Sequence, residues 1–106
     1  MTIKVVYNAT YGGFSISRAC AVRMAELGNK EAAEMIAEPT YYGYLEETPR
    51  HDPALVQAVE ELGESASGSA ASLCVQELSG RKYIIESYDG LETVVEPHDI
   101  VWTLVD

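Results

Sequence analysis

Basic residues and cysteines are scarce in this 106-residue chain, and each scarcity excludes a class of protein. Seven Lys and Arg residues stand against 17 Asp and Glu residues, which gives a formal net charge of -10. Because nucleic-acid polymers and anionic membrane surfaces are bound through clustered Lys and Arg, we expect neither as a partner. The two Cys and two His residues lack the close spacing of a zinc site, and two Cys are too few for a disulfide framework. We therefore expect no metal and no cofactor.

Long apolar runs are also missing. Residues 1–5 enter a predicted strand directly, without a stretch of signal-peptide or membrane-spanning length. With 47% hydrophobic and 23% charged residues, the composition is that of an ordinary globular protein. The length matches one domain, residues 1–106, and cysteine usage favours a cytoplasmic location.

The hydrophobic pattern predicts strands and helices in a split order. Helices are expected after a Ser15 or Ser17 cap, over residues 30–37, and from an Asp52 cap to Gly63. Asp89 and Gly90 are typical of a two-residue hairpin turn. The order predicts an α+β fold, with helices packed on one face of a small, mostly antiparallel sheet in which the first strand pairs in parallel with a later one. Predicted strands cover residues 3–7, 73–78, 82–88, 91–96 and 100–105.

The segment 11–18 joins the first strand to the first helix and contains the clearest candidate for a ligand site. Unpaired N–H groups and the positive end of a helix dipole point outward at such a junction, and both favour anions. Two glycines would let a phosphate approach the backbone. The alternative is a tight turn in which a serine caps the helix and the aromatic residues pack in the core. The predicted ligand contacts here are Tyr11, Gly12, Gly13, Phe14, Ser15, Ser17 and Arg18.

Further candidates lie before the third helix and near residue 100. Arg50 and His51 place a cation and a hydrogen-bond donor beside a helix start, where they could contact the same anion. Asp52 next to His51 also permits a catalytic interpretation, although Asp52 is better suited to capping the helix. His98 is a further candidate contact, and Trp102 is either core or a flat platform for a base.

The residues in these segments form a pattern that spans nearly the whole chain. It resembles a family of small uncharacterised proteins found chiefly in bacteriophages and some large viruses. The resemblance implies a viral origin, and with it a location in the host cytoplasm, rather than a mechanism. Family members commonly have Gly-Leu-Ser after Gly-Gly-Phe and often have Arg after the His, where this chain has Ser15-Ile16-Ser17 and Asp99. The matching residues are Tyr11-Gly12-Gly13-Phe14 with Ser17, then Pro49, Arg50, Asp52, Pro53, Leu55, Val56, Val59, Glu60, Glu61, Leu62 and Gly63, then Tyr88-Asp89-Gly90 with Glu92, Glu96 and His98.

These observations lead to a first hypothesis and two alternatives. The first is a phage-type binding protein that sequesters an anionic nucleotide-derived ligand, such as a cyclic nucleotide or ADP-ribose derivative, and so antagonises host defence. The second is a small hydrolase or transferase with His51 or His98 as general base, assisted by Asp52 or Glu96. The third is an acidic decoy that binds a host protein. No catalytic residue is assigned, and an exposed sheet edge predicts a homo-oligomer.

Overall fold

The computed structural model describes residues 2–105, and its first strand lies at the centre of the fold. Strand β1, Lys4–Asn8, pairs antiparallel with β2, Leu73–Glu77, with Val6 opposite Val75. The prediction of a parallel partner for the first strand is wrong. The chain enters β2 beside the carboxyl end of β1, where the Ala9 N–H donates to the Ser72 carbonyl at 2.8 Å, so the two strands run in opposite directions.

The second pair of strands is the predicted hairpin. Strand β3, Ile84–Tyr88, pairs antiparallel with β4, Leu91–Val95. Asp89 and Gly90 have φ angles of 51° and 88°, as a type I′ turn requires at both central positions. The hairpin prediction is confirmed, with β3 beginning two residues later than expected.

The three predicted helices are all present. Helix α1 covers Arg18–Glu26, α2 covers Lys30–Ala37 and α3 covers Pro53–Leu62. Ser17 caps α1, since its Oγ accepts the Cys20 N–H at 3.1 Å. Asp52 caps α3 through its Oδ2, which accepts two backbone N–H groups at 3.1 Å each. The polar residues predicted to start these helices therefore do so, as side-chain acceptors satisfy N–H groups that the first turn leaves unpaired.

Side chains alternate across β1, and this alternation builds two cores. Val6 is fully buried on the face covered by the helices, together with Ile16, Met24 and Leu55. Val5 points to the opposite face, where it packs with Leu78 and Val94 under the β3–β4 hairpin. The α+β prediction is confirmed: helices cover one face of antiparallel strands, and the strands form two separate pairs.

The last predicted strand, residues 100–105, is wrong. A 3₁₀ turn, Pro97–Asp99, follows β4, and residues 100–105 have no regular secondary structure. The turn redirects the chain before a fifth strand can pair with the hairpin. Trp102 is 77% exposed, so of the two predicted roles the core role is wrong.

Candidate functional site

The glycine loop of residues 11–13 packs against two other loops. Gly12 has a φ of 122°, and a Cβ placed on it would lie 2.5 Å from the Ala70 carbonyl oxygen. Gly90, in the turn of the hairpin, approaches so closely that a Cβ there would overlap the backbone nitrogen of Gly13. The Gly12 N–H points toward the Asp89 carbonyl at 3.5 Å. Close contact with another loop thus accounts for Gly12. A Cβ on Gly13 would meet no atom within 4 Å, and what favours glycine there is the φ of 91°.

The polar groups that follow the loop are also engaged within the protein. The Ile16 N–H donates to the Gly43 carbonyl at 2.9 Å, and the Ser17 N–H donates to the Ala66 carbonyl at 2.8 Å. The Ser17 Oγ, besides capping α1, donates to the Ser65 carbonyl at 2.6 Å. An anion held by the backbone of residues 16 and 17 would have to displace these bonds.

Beside this junction lies a cavity of about 310 Å³, which we call the tyrosine pocket. Tyr41 forms its inner wall, and its hydroxyl lies 2.7 Å from the Ile16 carbonyl oxygen and 2.8 Å from that of Ser17. Burial raises the pKa of Tyr41 to about 12, so the phenol is neutral at pH 7. Tyr42 and Tyr44 are 72% and 62% exposed. The lining residues are Gly12, Ser15, Ile16, Ser17, Arg18, Tyr41, Tyr42, Tyr44, Ser67, Gly68, Ser69 and Ala70.

The electrostatic character of the tyrosine pocket differs from that of the chain as a whole. None of its 12 lining residues is acidic, although 17 of the 106 residues in the chain are. Arg18 is its one charged lining residue. The Arg18 guanidinium carbon lies 5.9 Å from the centre of the Tyr41 ring, and Nη2 donates to the Ile36 carbonyl at 3.3 Å. This combination of one cation, hydroxyls and aromatic rings suits a ligand with an anionic group and a flat ring.

An acidic surface adjoins the tyrosine pocket at Tyr44. This tyrosine also lines a second depression, whose other lining residues include five glutamates: Glu31, Glu34, Glu38, Glu46 and Glu47. A negative ligand would be repelled from that side. Residues 67–70, which line the tyrosine pocket but not the acidic depression, are uncharged.

Arg50 is held in a buried network rather than in the tyrosine pocket. Its Nη1 and Nη2 donate to the two carboxylate oxygens of Glu92 at 2.6 and 2.8 Å. The guanidinium carbon lies 3.6 Å from the centre of the Phe14 ring. The carboxylate of Glu92 also accepts the Asn8 N–H at 2.8 Å, and Asn8 is fully buried. The predicted contacts Arg50 and Phe14 therefore join β1, β4 and the segment before α3, and neither lines the tyrosine pocket.

His51 lies in a separate groove that shares no lining residue with the tyrosine pocket. Its Nδ1 lies 2.7 Å from the hydroxyl of Tyr83. Asp52, which the catalytic interpretation requires as an orienting group, caps α3 instead. The Asp52 carboxylate is therefore used as a helix cap rather than as the orienting partner of the His51 imidazole.

The remaining predicted contacts also lie outside the tyrosine pocket. His98 is exposed and its Nε2 lies 3.3 Å from Asp99 Oδ1, while the carboxylate of Glu96 accepts the Ser79 hydroxyl at 2.8 Å. Tyr11 is 57% exposed and borders a shallow depression beside the hairpin turn. Of the predicted contacts, the structure gathers Gly12, Ser15, Ser17 and Arg18 around one cavity.

Among residues 2–105, no three His, Cys, Asp or Glu side chains lie close enough together to hold a metal ion. Within the same residues, no helix is both long and apolar enough to cross a membrane. Comparisons of the chain with models of known families, with curated proteins and with solved structures give no match.

Sequence reasoning missed two parts of this region. In the sequence, Tyr41, Tyr42 and Tyr44 around Gly43 mark an aromatic segment, but not its position against α1. Residues 67–70 belong to a stretch rich in Ser, Ala and Gly that has the composition of a connection, and their small side chains give no sign that they form a cavity wall. Both contacts are long-range, and a local pattern carries no information on them.

Proposed function

We propose that this protein binds a small anionic, nucleotide-derived ligand in the tyrosine pocket and holds it without transforming it. The observation that supports the proposal is the composition of the pocket wall: Arg18 and no acidic residue, within a chain of net charge -10. Because its lining includes a guanidinium and no carboxylate, the pocket favours an anion over a cation or a basic peptide.

The side chains divide into two groups by chemistry. The Arg18 guanidinium would leave the Ile36 carbonyl and form charge-assisted hydrogen bonds with a phosphate, helped by the serine hydroxyls of residues 15 and 69. Tyr42 and Tyr44 would stack on a base or ribose, which is compatible with their exposure. The cavity of about 310 Å³ is near the lower limit for small-molecule sites, so a larger ligand would extend beyond it.

Sequestration without turnover is favoured over catalysis by the placement of the two histidines. Neither His51 nor His98 lines the tyrosine pocket, and no lining residue is a carboxylate that could act as a base. A protein with these properties would lower the free concentration of a signalling nucleotide, which is how a viral protein could antagonise host defence.

The test is to incubate the purified protein with a defined panel of cyclic mononucleotides, cyclic dinucleotides and ADP-ribose derivatives. After removal of unbound compounds, the protein is denatured and the released material is identified by mass spectrometry. We expect one class to be retained and released with its mass unchanged. Release of a hydrolysed product would contradict sequestration, and retention of no compound would contradict nucleotide binding.

A further inference from the structure

The segment 100–105, which we call the tail, exposes an unusual amount of apolar surface. Val101, Trp102, Leu104 and Val105 are 93%, 77%, 91% and 94% exposed, and none is charged. The radius of gyration is 14.9 Å, against about 13 Å for a compact domain of this length. A continuous exposed apolar segment of this kind marks an interaction surface rather than a solvated end.

The start of the tail is fixed by a hydrogen-bond network. The carboxylate of Glu96 is buried and accepts the backbone N–H of Ser79 at 3.0 Å and its hydroxyl at 2.8 Å. The backbone N–H of Glu96 donates to Asp99 Oδ2 at 2.9 Å, which closes the turn Pro97–Asp99. The tail therefore leaves the hairpin at a defined point: Ile100, which is 38% exposed, borders a cavity with Tyr83 and Ile84, whereas residues 101–105 are exposed.

A second unpartnered feature is the outer edge of β3. Strand β3 pairs with β4 on one side, and no other strand among residues 2–105 pairs with it on the other. Tyr88 and Leu91 flank the two-residue turn and form a hydrogen-bonded pair. Because hydrogen-bonded and non-hydrogen-bonded pairs alternate along an antiparallel ladder, the N–H and C=O groups of Ser87 and Ile85 point away from β4. Ile84 and Tyr88 are 55% and 77% exposed on the same strand. Such an edge is a template for one more strand.

We propose that the tail of one copy adds as a strand to the β3 edge of a second copy, and that the exchange is reciprocal. Residues 101–105 equal β3 in length, and a two-fold axis would bring each tail onto the partner's edge. Two copies with a net charge of -10 each repel one another, and an uncharged contact surface adds least to this repulsion. Residues 101–105 of the tail carry no charge. Arg81 and Lys82, two of the chain's seven basic residues, lie within three residues of the start of the receiving strand, in which Glu86 is the one charged residue.

The area of the tail agrees with a stable dimer. Burial of one Trp and three aliphatic side chains removes roughly 350 to 600 Å² of apolar surface from water. Each tail covers a similar area on the strand that receives it, so two reciprocal contacts would bury roughly 1,400 to 2,400 Å² in total. Stable protein interfaces bury about 1,200 to 2,000 Å².

The chain reports on this contact through its single tryptophan, Trp102. Sedimentation equilibrium should give the mass of a monomer at low concentration and of a dimer at high concentration. Trp102 emission should shift to the blue over the same concentration range, because docking removes the indole from water. A monomer at all accessible concentrations, or emission that does not follow the mass, would overturn the proposal.

Three variants locate the contact. Leu104→Asp places a charge in the tail at a side chain that is 91% exposed, and Ser87→Pro removes an outward N–H without removing a β3–β4 hydrogen bond. Each should weaken dimerisation at least tenfold with an unchanged circular dichroism spectrum. Val22→Asp, at a 39% exposed site on α1, is the control and should leave dimerisation unchanged.

If Ser87→Pro fails to fold, Leu104→Asp alone decides, since the Leu104 side chain is 91% exposed and its replacement should not disturb folding. A dimer that survives Leu104→Asp would overturn the proposal. So would a blue shift of monomeric protein on addition of phosphatidylcholine vesicles, because the tail would then bind lipid. These measurements use no nucleotide, and their result is independent of the ligand proposed for the tyrosine pocket.

Discussion

Replacement of Arg50 by Ala is expected to destabilise the protein severely, because it would leave the Glu92 carboxylate buried without its cation. The side chain of Glu92 is only 8% exposed and that of Arg50 is 23% exposed. Removal of one partner from a buried ion pair typically costs about 3 to 5 kcal/mol. The free energy of unfolding of a domain this size is about 5 to 15 kcal/mol, so the variant would lose a large fraction of it.

The assay is urea unfolding followed by far-ultraviolet circular dichroism, since Trp102 lies in the tail and does not report on the core. The double variant Arg50→Ala with Glu92→Gln should recover part of the loss, because it removes the unpaired charge. Glu60→Gln is the matched control: Lys4 and Glu60 lie 2.7 Å apart, similar to the Arg50–Glu92 distance, but the pair is exposed. Its unfolding midpoint should hardly change.

A loss of less than about 1 kcal/mol for Arg50→Ala would refute the reasoning, since a pair that breaks at so small a cost is not a buried structural link. The same result would mean that the Arg50 guanidinium is available to contact a ligand. A large loss with partial recovery in the double variant would assign Arg50 to the fold.

Three further variants test the local structure. Asp52→Ala should cost about 1 kcal/mol in urea unfolding by removing the acceptor that caps α3, and a neutral result would contradict the cap. Gly90→Val should lower the unfolding midpoint strongly, because its φ is 88° and its side chain would overlap the Gly13 backbone; an unchanged midpoint would place the turn elsewhere. Burial opposes ionisation of Glu31, but hydrogen bonds from Thr48 and two neighbouring N–H groups outweigh it and lower the Glu31 pKa below 4.5. Its ionised form therefore stabilises the fold above about pH 4.5, and this contribution is lost as pH falls through the lowered pKa, a loss that Glu31→Gln should not show.

The predictable parts of the fold are those set by neighbouring residues. Asp52 with Pro53 marks a helix start whatever the tertiary contacts of the segment, and Asp89 with Gly90 marks a hairpin turn in the same way. Capping and positive φ angles are requirements of the local backbone. The parallel partner of β1 and the strand at 100–105 were wrong. Both depend on how distant segments meet, and the 3₁₀ turn at Pro97 decides the second.

The candidate site was predictable only in part for the same reason. Helix spacing and the glycines placed Gly12, Ser15, Ser17 and Arg18 at one junction, and these residues do surround one cavity. The partner of Arg50 is 42 residues away in the sequence, and no local pattern pointed to Glu92. An arginine beside a helix start looks the same in sequence whether it faces a ligand or a buried carboxylate.

The most direct test of ligand binding in the tyrosine pocket is calorimetric titration of two α1 variants. Arg18→Ala removes the one cation of the pocket, whereas Arg23→Ala, on the same helix, removes a cation that pairs with Glu61 at 2.6 Å outside it. Each is titrated with cyclic mononucleotides, cyclic dinucleotides and ADP-ribose derivatives beside the unmodified protein. For the class that binds, Arg18→Ala should weaken affinity by about 1.5 to 3 kcal/mol, as expected for a hydrogen bond to a charged group, and Arg23→Ala should bind normally. Equal affinities for all three folded proteins would contradict binding through Arg18 in this pocket.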